Sequence, residues 1–206
     1  MALKKGEQSM VKIEVQKSHF YIALSMIGIV LMGTLYFSSF ITNAPRLSVA
    51  DKPESLEVRF SLLSGAKTNA CSGPGFIAGK QNGDRLQGSC CGPMDFHRYQ
   101  EQVEGLKKYS HISKIPPDPY DIPVALANEL LEYQKTLKLT PEQQEIYDEA
   151  MTLSGEGGPC CCKCWRWYAF EGLAKHLIIE YDFSAEQIAE VWDLEDGCGG
   201  SGHMHT

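Results

Sequence analysis

The chain has 206 residues, of which 43% are hydrophobic and 8 are cysteines, and its formal net charge is −7. This composition excludes a disordered tail, a collagen-like repeat and a membrane-embedded helical bundle. Four of the 19 basic side chains and two of the 26 acidic ones precede residue 43, so residues 43–206 have a net charge of −9. Because so acidic a domain repels phosphate backbones, we do not expect nucleic acid as a partner.

An uncharged run of 23 residues extends from Phe20 to Thr42 and is preceded by four lysines. A helix of this length, at about 1.5 Å per residue, crosses a hydrocarbon layer of roughly 30 Å. A cleaved signal peptide is the alternative, but its apolar core would have only about 7–15 residues. We therefore predict a cytoplasmic N-terminus (1–19), a transmembrane anchor (20–42), a linker (43–55) and a cysteine-rich extracytoplasmic domain (56–206).

The outer domain is predicted to be mainly α-helical, with a short strand and an irregular segment before its helices. Leu56 to Leu62 alternates apolar and polar side chains, which is typical of a half-buried strand. Ser64 to Gly88 is rich in Gly, Asn and Ser and is expected to be irregular. Thr140 and Ser184 each precede a glutamine by three residues, as in a capping box. Five helices are predicted, at about 93–108, 123–137, 141–153, 164–181 and 185–194.

Four of the five residues from 160 to 164 are cysteine, directly before a predicted helix. The unpaired amide groups and the positive end of the dipole at a helix N-terminus stabilise thiolate over thiol. Thiolates are nucleophiles and metal ligands. Free cysteine also packs as a small hydrophobe, but packing gives no reason to gather four of them at one point. Cys160, Cys161, Cys162 and Cys164 are therefore candidate metal ligands.

Cys198 is expected to join this cluster. Two helices in an antiparallel hairpin would bring residues 195–198 back to the start of the first helix. His176, about 18 Å along that helix from Cys164, is expected to be an ordinary helix-face residue. The tail supplies three more candidate ligands, His203, Met204 and His205, for which a disordered terminus is an equal interpretation.

Cys71, Cys90, Cys91 and Met94 form a candidate second site, although ordinary packing is the alternative for both Met94 and Met204. Trp165, Trp167, Tyr168 and Phe170 follow the cysteine run and are expected to form the core of the helical domain. Even as core residues they would keep water away from a metal–thiolate site.

Three chemistries fit these thiols. Thiolate and thioether ligands favour Cu(I), and Zn(II) next, in a metal site. An even cysteine count outside the cytoplasm also permits a disulfide-stapled interaction domain without metal. The third is thiol–disulfide exchange by Cys161 and Cys164, but no thioredoxin-like alternation of strands and helices surrounds this C-x-x-C motif. No catalytic residue is assigned, and a binding protein is favoured over an enzyme.

The sequence Pro159-Cys160-Cys161-Cys162-Lys163-Cys164 resembles the P-C-Y-C-G-C motif of a family of small, membrane-attached extracytoplasmic bacterial proteins. Trp192-Asp193 and Gly197-Cys198-Gly199 are similar to that family's tryptophan–aspartate and C-G-x-C elements. The resemblance covers about 40 residues, and Cys161, Lys163 and Ser201 depart from it. It implies a location outside the cytoplasm and a metal site. Together with the residues themselves, it makes Cys160, Cys162, Cys164 and Cys198 the strongest candidate ligands, with copper favoured over zinc.

Overall fold

The computed structural model describes residues 55–200. The predicted cytoplasmic N-terminus, the anchor, linker residues 43–54, and the candidate ligands His203, Met204 and His205 lie outside the described residues. Within residues 55–200, no helix is both long enough and apolar enough to cross a membrane.

Residues 55–200 are mainly helical, with seven α-helices and one two-stranded antiparallel sheet. The helices are α1 (Leu56–Gly65), α2 (Gly75–Ala78), α3 (Phe96–Leu106), α4 (Val124–Thr136), α5 (Pro141–Leu153), α6 (Trp165–Tyr181) and α7 (Ala185–Leu194). The strands are β1 (Arg85–Gln87) and β2 (Asp121–Pro123), and a 3₁₀ turn (Lys107–Tyr109) follows α3. The prediction of a mainly α-helical domain is confirmed.

The predicted strand at Leu56–Leu62 is wrong, because these residues form most of α1. The Ser55 side chain caps the helix by accepting a hydrogen bond from the amide of Val58. Leu56, Phe60 and Leu63, spaced as one face of a helix, pack in a small apolar cluster with two buried tyrosines. The alternation from Leu56 to Leu62 also fits a helix, because Leu56 and Phe60 are four residues apart and lie on one helical face. The packing partners decide between a helix and a strand.

The five helices predicted after residue 92 correspond to α3–α7. The capping boxes at Thr140 and Ser184 are both present. Helix α3 begins three residues later than predicted, since Asp95 acts as its N-cap by accepting a hydrogen bond from the amide of Arg98. Cys90 and Cys91 therefore lie in the loop before α3 and not at a helix N-terminus.

The segment predicted to be irregular, 64–88, contains α2 and β1. In the sheet, Leu86 is the register partner of Ile122. The loop before Cys71 is tied to β1, because the amide of Asn69 donates to the carbonyl of Gln87 at 3.2 Å and the Thr68 hydroxyl donates to the carbonyl of Arg85 at 2.7 Å. The sheet thus anchors the loop that carries the first cysteine.

The main core lies where α4 packs along α6. Their backbones approach so closely that a Cβ on Gly172 would overlap the carbonyl oxygen of Leu130. Trp165 and Phe170 are fully buried in this core, whereas Trp167 and Tyr168 are half-buried. Helix α7 packs mainly against α5 and not along α6 as the predicted hairpin assumed. The chain nevertheless returns after α7 to the start of α6.

Candidate metal centre

The eight cysteines lie in one continuous cluster built from four segments of the chain. All eight are free thiols. Four overlapping sets of three sulfurs, in each of which the sulfurs lie within 4.8 Å of one another, link the whole group. The sets are Cys71/Cys91/Cys162, Cys90/Cys91/Cys198, Cys160/Cys161/Cys198 and Cys160/Cys162/Cys164. The thiols of the candidate second site therefore belong to the same cluster as the cysteine run at 160–164.

Four of these thiols, which we name the inner quartet, are Cys90, Cys160, Cys164 and Cys198. Cys160, Cys164 and Cys198 are only 1–3% exposed. The Sγ atoms of Cys160 and Cys164 are 3.8 Å apart, those of Cys160 and Cys198 3.5 Å, and those of Cys90 and Cys198 3.9 Å. These three separations join the quartet in the order Cys90, Cys198, Cys160 and Cys164.

Backbone hydrogen bonds hold two members of the inner quartet side by side. The amide of Cys90 donates to the carbonyl of Gly197 at 3.0 Å, and the amide of Gly92 donates to the carbonyl of Cys198 at 2.8 Å. The amide of Cys198 also donates to the carboxylate of Asp196 at 3.0 Å. The segment 90–92 thus pairs with the turn after α7, and this pairing brings Cys90 to Cys198.

The other two members of the quartet stand at the beginning of α6. Cys164 is the N-cap residue, and its side chain makes no capping hydrogen bond. The amide of Cys164 donates to the carbonyl of Cys162 at 2.9 Å, which closes a tight turn within the cysteine run. This turn places Cys160 and Cys164 on the buried side, while the cysteines between them are turned towards solvent.

The remaining thiols, which we name the outer set, are Cys71, Cys91, Cys161 and Cys162. Cys162 is half-buried and the other three are exposed. The Sγ atoms of Cys71 and Cys162 are 2.9 Å apart, and those of Cys161 and Cys198 are 3.0 Å apart. Cys91 Sγ lies 3.6 Å from Cys90 Sγ. The outer set therefore covers the quartet on the solvent side.

Asn69, which the sequence did not single out, positions the loop of Cys71. Its side chain is buried, donates to the carbonyl of Gly88 at 3.0 Å and accepts a hydrogen bond from the indole of Trp165 at 3.1 Å. The amide of Trp165 donates to the carbonyl of Ser72. The residue that follows Cys164 therefore also ties down the loop of Cys71, some 90 residues earlier in the chain.

The thiols of the cluster differ in acidity. Hydrogen bonds from Cys160 and Cys90 lower the pKa of Cys198 to about 5, and one from Cys164 lowers the pKa of Cys160 to about 7. Cys90 has its pKa raised, first by its hydrogen bonds to neighbouring thiols. Burial raises the pKa values of Cys161 and Cys162. Protons are thus held unevenly, and the two thiols with lowered pKa values, Cys160 and Cys198, both belong to the quartet.

A buried cation adjoins the quartet. The guanidinium of Arg166 is 1% exposed and packs over the ring of Phe170, 4.6 Å from the ring centroid. It interacts electrostatically with Cys90 and Cys160, as well as with Glu195. A metal held by several thiolates carries net negative charge, so a buried positive group beside it offsets part of that charge. This role was not predicted, because an arginine in the first turn of a helix is normally solvated.

Two residues weighed as ligands lie apart from the sulfurs. Met94 packs against the small apolar cluster around Tyr99 and Tyr120. His176 stacks on Tyr133 with ring centroids 4.8 Å apart, as expected of a helix-face histidine. The two thiols of the C-x-x-C motif also make separate contacts, since Cys161 lies against Cys198 and Cys164 against Cys160.

The spacing of the inner quartet fits a metal–thiolate site. With metal–sulfur bonds of about 2.3 Å, the sulfurs of a tetrahedral tetrathiolate stand about 3.8 Å apart. The three sulfur–sulfur separations that join the quartet, 3.5–3.9 Å, match this edge. A disulfide requires a sulfur–sulfur distance of about 2.05 Å. The clustered thiols could therefore hold a soft metal ion.

Comparisons with protein-family models, with curated proteins and with solved structures found no match to this chain.

Proposed function

We propose that this chain is a membrane-anchored extracytoplasmic protein that binds a soft metal ion, with copper(I) preferred to zinc(II), for storage, transfer or sensing. The observation that carries the proposal is the inner quartet, in which three thiols are buried and three sulfur–sulfur separations already match the edge of a tetrathiolate site. These existing sulfur–sulfur contacts reduce the rearrangement needed on binding, and so reduce the free energy lost to ordering.

The number of thiols supports copper. A single tetrahedral zinc ion takes four ligands, whereas eight thiols lie in this cluster. Cu(I) is among the metals that soft thiolate ligands select. Sulfur–sulfur separations do not distinguish Cu(I) from Zn(II). A trigonal site with bonds of about 2.3 Å has sulfurs about 4.0 Å apart, close to the edge of about 3.8 Å in a tetrahedral site.

The location is supported by the uncharged run from Phe20 to Thr42 and by the lysines before it. The resemblance to the P-C-Y-C-G-C family points the same way. Outside the cytoplasm, neighbouring free thiols are prone to oxidise to disulfides. A bound metal would keep these closely spaced sulfurs from that reaction. A phosphatase reporter that is active only outside the cytoplasm, fused after Thr206, should be active, and an inactive fusion would contradict this orientation.

Metal content and thiol count, measured together, test the metal hypothesis. The full-length chain, purified anaerobically in mild detergent, is analysed by native mass spectrometry and by reaction of its unfolded form with a thiol reagent. We expect bound copper and eight reduced cysteines. The double variant Cys160→Ser/Cys164→Ser should lose the metal, and the control Met94→Leu should retain it, because Met94 packs away from the sulfurs. Fully oxidised cysteines without metal would support the disulfide-stapled domain instead.

A further inference from the structure

The inner quartet and the outer set differ in exposure and in spacing. Three members of the quartet are 1–3% exposed, whereas Cys71, Cys91 and Cys161 of the outer set are exposed. A metal ion arriving from solvent therefore meets the outer thiols first. Three of the quartet's sulfur–sulfur separations fit a metal site as they stand. In the outer set, the 2.9 Å between the sulfurs of Cys71 and Cys162 is shorter than the edge of any thiolate site with bonds of about 2.3 Å. Those two sulfurs must separate on binding, which makes an outer site weaker.

Cys162 and Cys91 each belong to a set on the solvent side and to a set that includes quartet thiols, and Cys162 is the less exposed of the two. The sulfur of Cys162 lies within 4.8 Å of those of Cys71 and Cys91 on the solvent side. It also lies within 4.8 Å of Cys160 and Cys164 in the quartet. A metal held by Cys162 can thus exchange its other ligands without being released to water. The sulfur of Cys161, the neighbouring exposed thiol, contacts Cys198. It belongs to no set that contains Cys71 or Cys91.

We propose that Cys71, Cys91 and Cys162 form a solvent-facing uptake site from which Cys162 passes a soft metal ion to the inner quartet. This proposal rests on the proposed metal-binding function and adds the route by which the metal enters. Metal bonds to Cys71 and Cys91 break as bonds to Cys160 and Cys164 form. Cys162 is then replaced by Cys90 and Cys198. Each incoming thiol loses its proton to solvent, each outgoing thiolate takes one up, and the metal keeps its oxidation state.

Cys161 and Cys162 are adjacent in the chain, so Cys161→Ser and Cys162→Ser form a matched pair of variants. Cu(I), supplied anaerobically as its coloured bicinchoninate complex at one equivalent per chain, is transferred to the full-length protein. Loss of colour gives the loading rate, and native mass spectrometry gives the ions held at the end. Cys162→Ser should still hold one ion but load at least about ten-fold more slowly, because a serine hydroxyl is a poor ligand for a soft metal. Cys161→Ser should load within about two-fold of the wild-type rate.

The outcomes separate this proposal from the one it rests on. A wild-type chain that takes no Cu(I) overturns copper binding itself. A wild-type chain that binds Cu(I), with Cys162→Ser loading at the same rate, overturns only the uptake route. Loss of the ion from Cys162→Ser at the end of loading would make Cys162 a permanent ligand and would also overturn it. Slow loading confined to Cys161→Ser would place the route at Cys161 and Cys198 instead.

Discussion

Arg166 Nη2 lies 3.5 Å from Glu195 Oε2, and both side chains are 1% exposed. The guanidinium also donates from Nε to the backbone carbonyl of Glu195 at 3.1 Å. Arg166 follows Cys164 by two residues, and Glu195 precedes Cys198 by three. This buried pair therefore joins the beginning of α6 to the end of α7, the two segments that supply three of the four inner sulfurs.

Replacing Arg166 should destabilise the fold. Removing one member of a buried ion pair costs about 3–5 kcal/mol, and we expect Arg166→Met to lie near the lower end of this range because Glu195 is able to take up a proton. The control Arg98→Met removes a partly exposed arginine that donates to the carbonyl of Asp193, and it should cost about 0.5–1.5 kcal/mol. Urea unfolding followed by circular dichroism measures both values. Equal losses would show that burial of the Arg166 pair contributes nothing extra.

The stability of the protein should depend on pH through Glu195. Burial raises the pKa of this carboxyl group well above its usual value. Its contribution to stability is complete below the unfolded-state pKa of about 4.3 and is lost as the pH rises through the folded-state pKa. Glu195→Gln cannot ionise, so its stability relative to wild type should increase from about pH 4.5 upwards.

This comparison is made by urea unfolding of chelator-treated protein, so that metal loss does not contribute to the pH dependence. Glu104→Gln is the control, because Glu104 is an exposed carboxylate that pairs with Lys107 on the surface of α3. A difference between Glu195→Gln and wild type that stays constant with pH would mean that Glu195 is ionised in the folded protein throughout.

Two helical glycines should differ in their response to alanine. In Gly172→Ala the new Cβ overlaps the backbone of α4 at Leu130, which cannot move without separating the helices, so we expect a loss of about 1–3 kcal/mol or more. In Gly105→Ala the new Cβ meets only the end of the Leu194 side chain, which can change rotamer. There the higher helix propensity of alanine, about 1 kcal/mol, offsets the strain. Thermal unfolding of both variants tests this, and similar melting temperatures would contradict the close approach of α4 and α6.

Local signals were enough to predict α4–α7. The capping boxes at Thr140 and Ser184 satisfy helix-end amides with side chains three residues away, so their information lies within one turn. The residues of α1 fit both a strand pattern and a helix pattern. The contacts of the helical face with Tyr99 and Tyr120 favour the helix. Those contacts are distant in sequence and therefore invisible to a local pattern.

The candidate site, like the fold, has a part that local sequence predicts and a part that depends on distant contacts. Adjacency along the chain was sufficient to group Cys160, Cys162 and Cys164. The inclusion of Cys90 depends on the backbone pairing of residues 90–92 with the turn after α7, more than 100 residues later. The burial of Arg166 likewise follows from the return of that turn. Sequence reasoning thus identified the cysteine run but not which thiols face inwards or what charge lies beside them.

The turn that carries Cys198 should be sensitive at Gly197. A Cβ there would stand 2.7 Å from Cζ and Nη1 of Arg166. Because Arg166 is buried and held by Glu195, the new methyl group must displace either the guanidinium or the turn, and both displacements disturb the inner quartet. Changes in the outer shell of a metal site typically cost about 10–100-fold in affinity, and we expect Gly197→Ala to weaken Cu(I) binding by this factor.

Gly92→Ala is the matched control, since the amide of Gly92 donates a hydrogen bond to the carbonyl of Cys198. The nearest atoms to a Cβ at this position, the carbonyl oxygens of Cys198 and Gly199, are 3.8 Å away, which is ordinary van der Waals contact. Its affinity for Cu(I) should equal that of the wild type. Both affinities are measured by anaerobic competition with a chelator of known strength. Wild-type affinity in Gly197→Ala, with the fold intact by circular dichroism, would show that the position of Cys198 does not control metal binding.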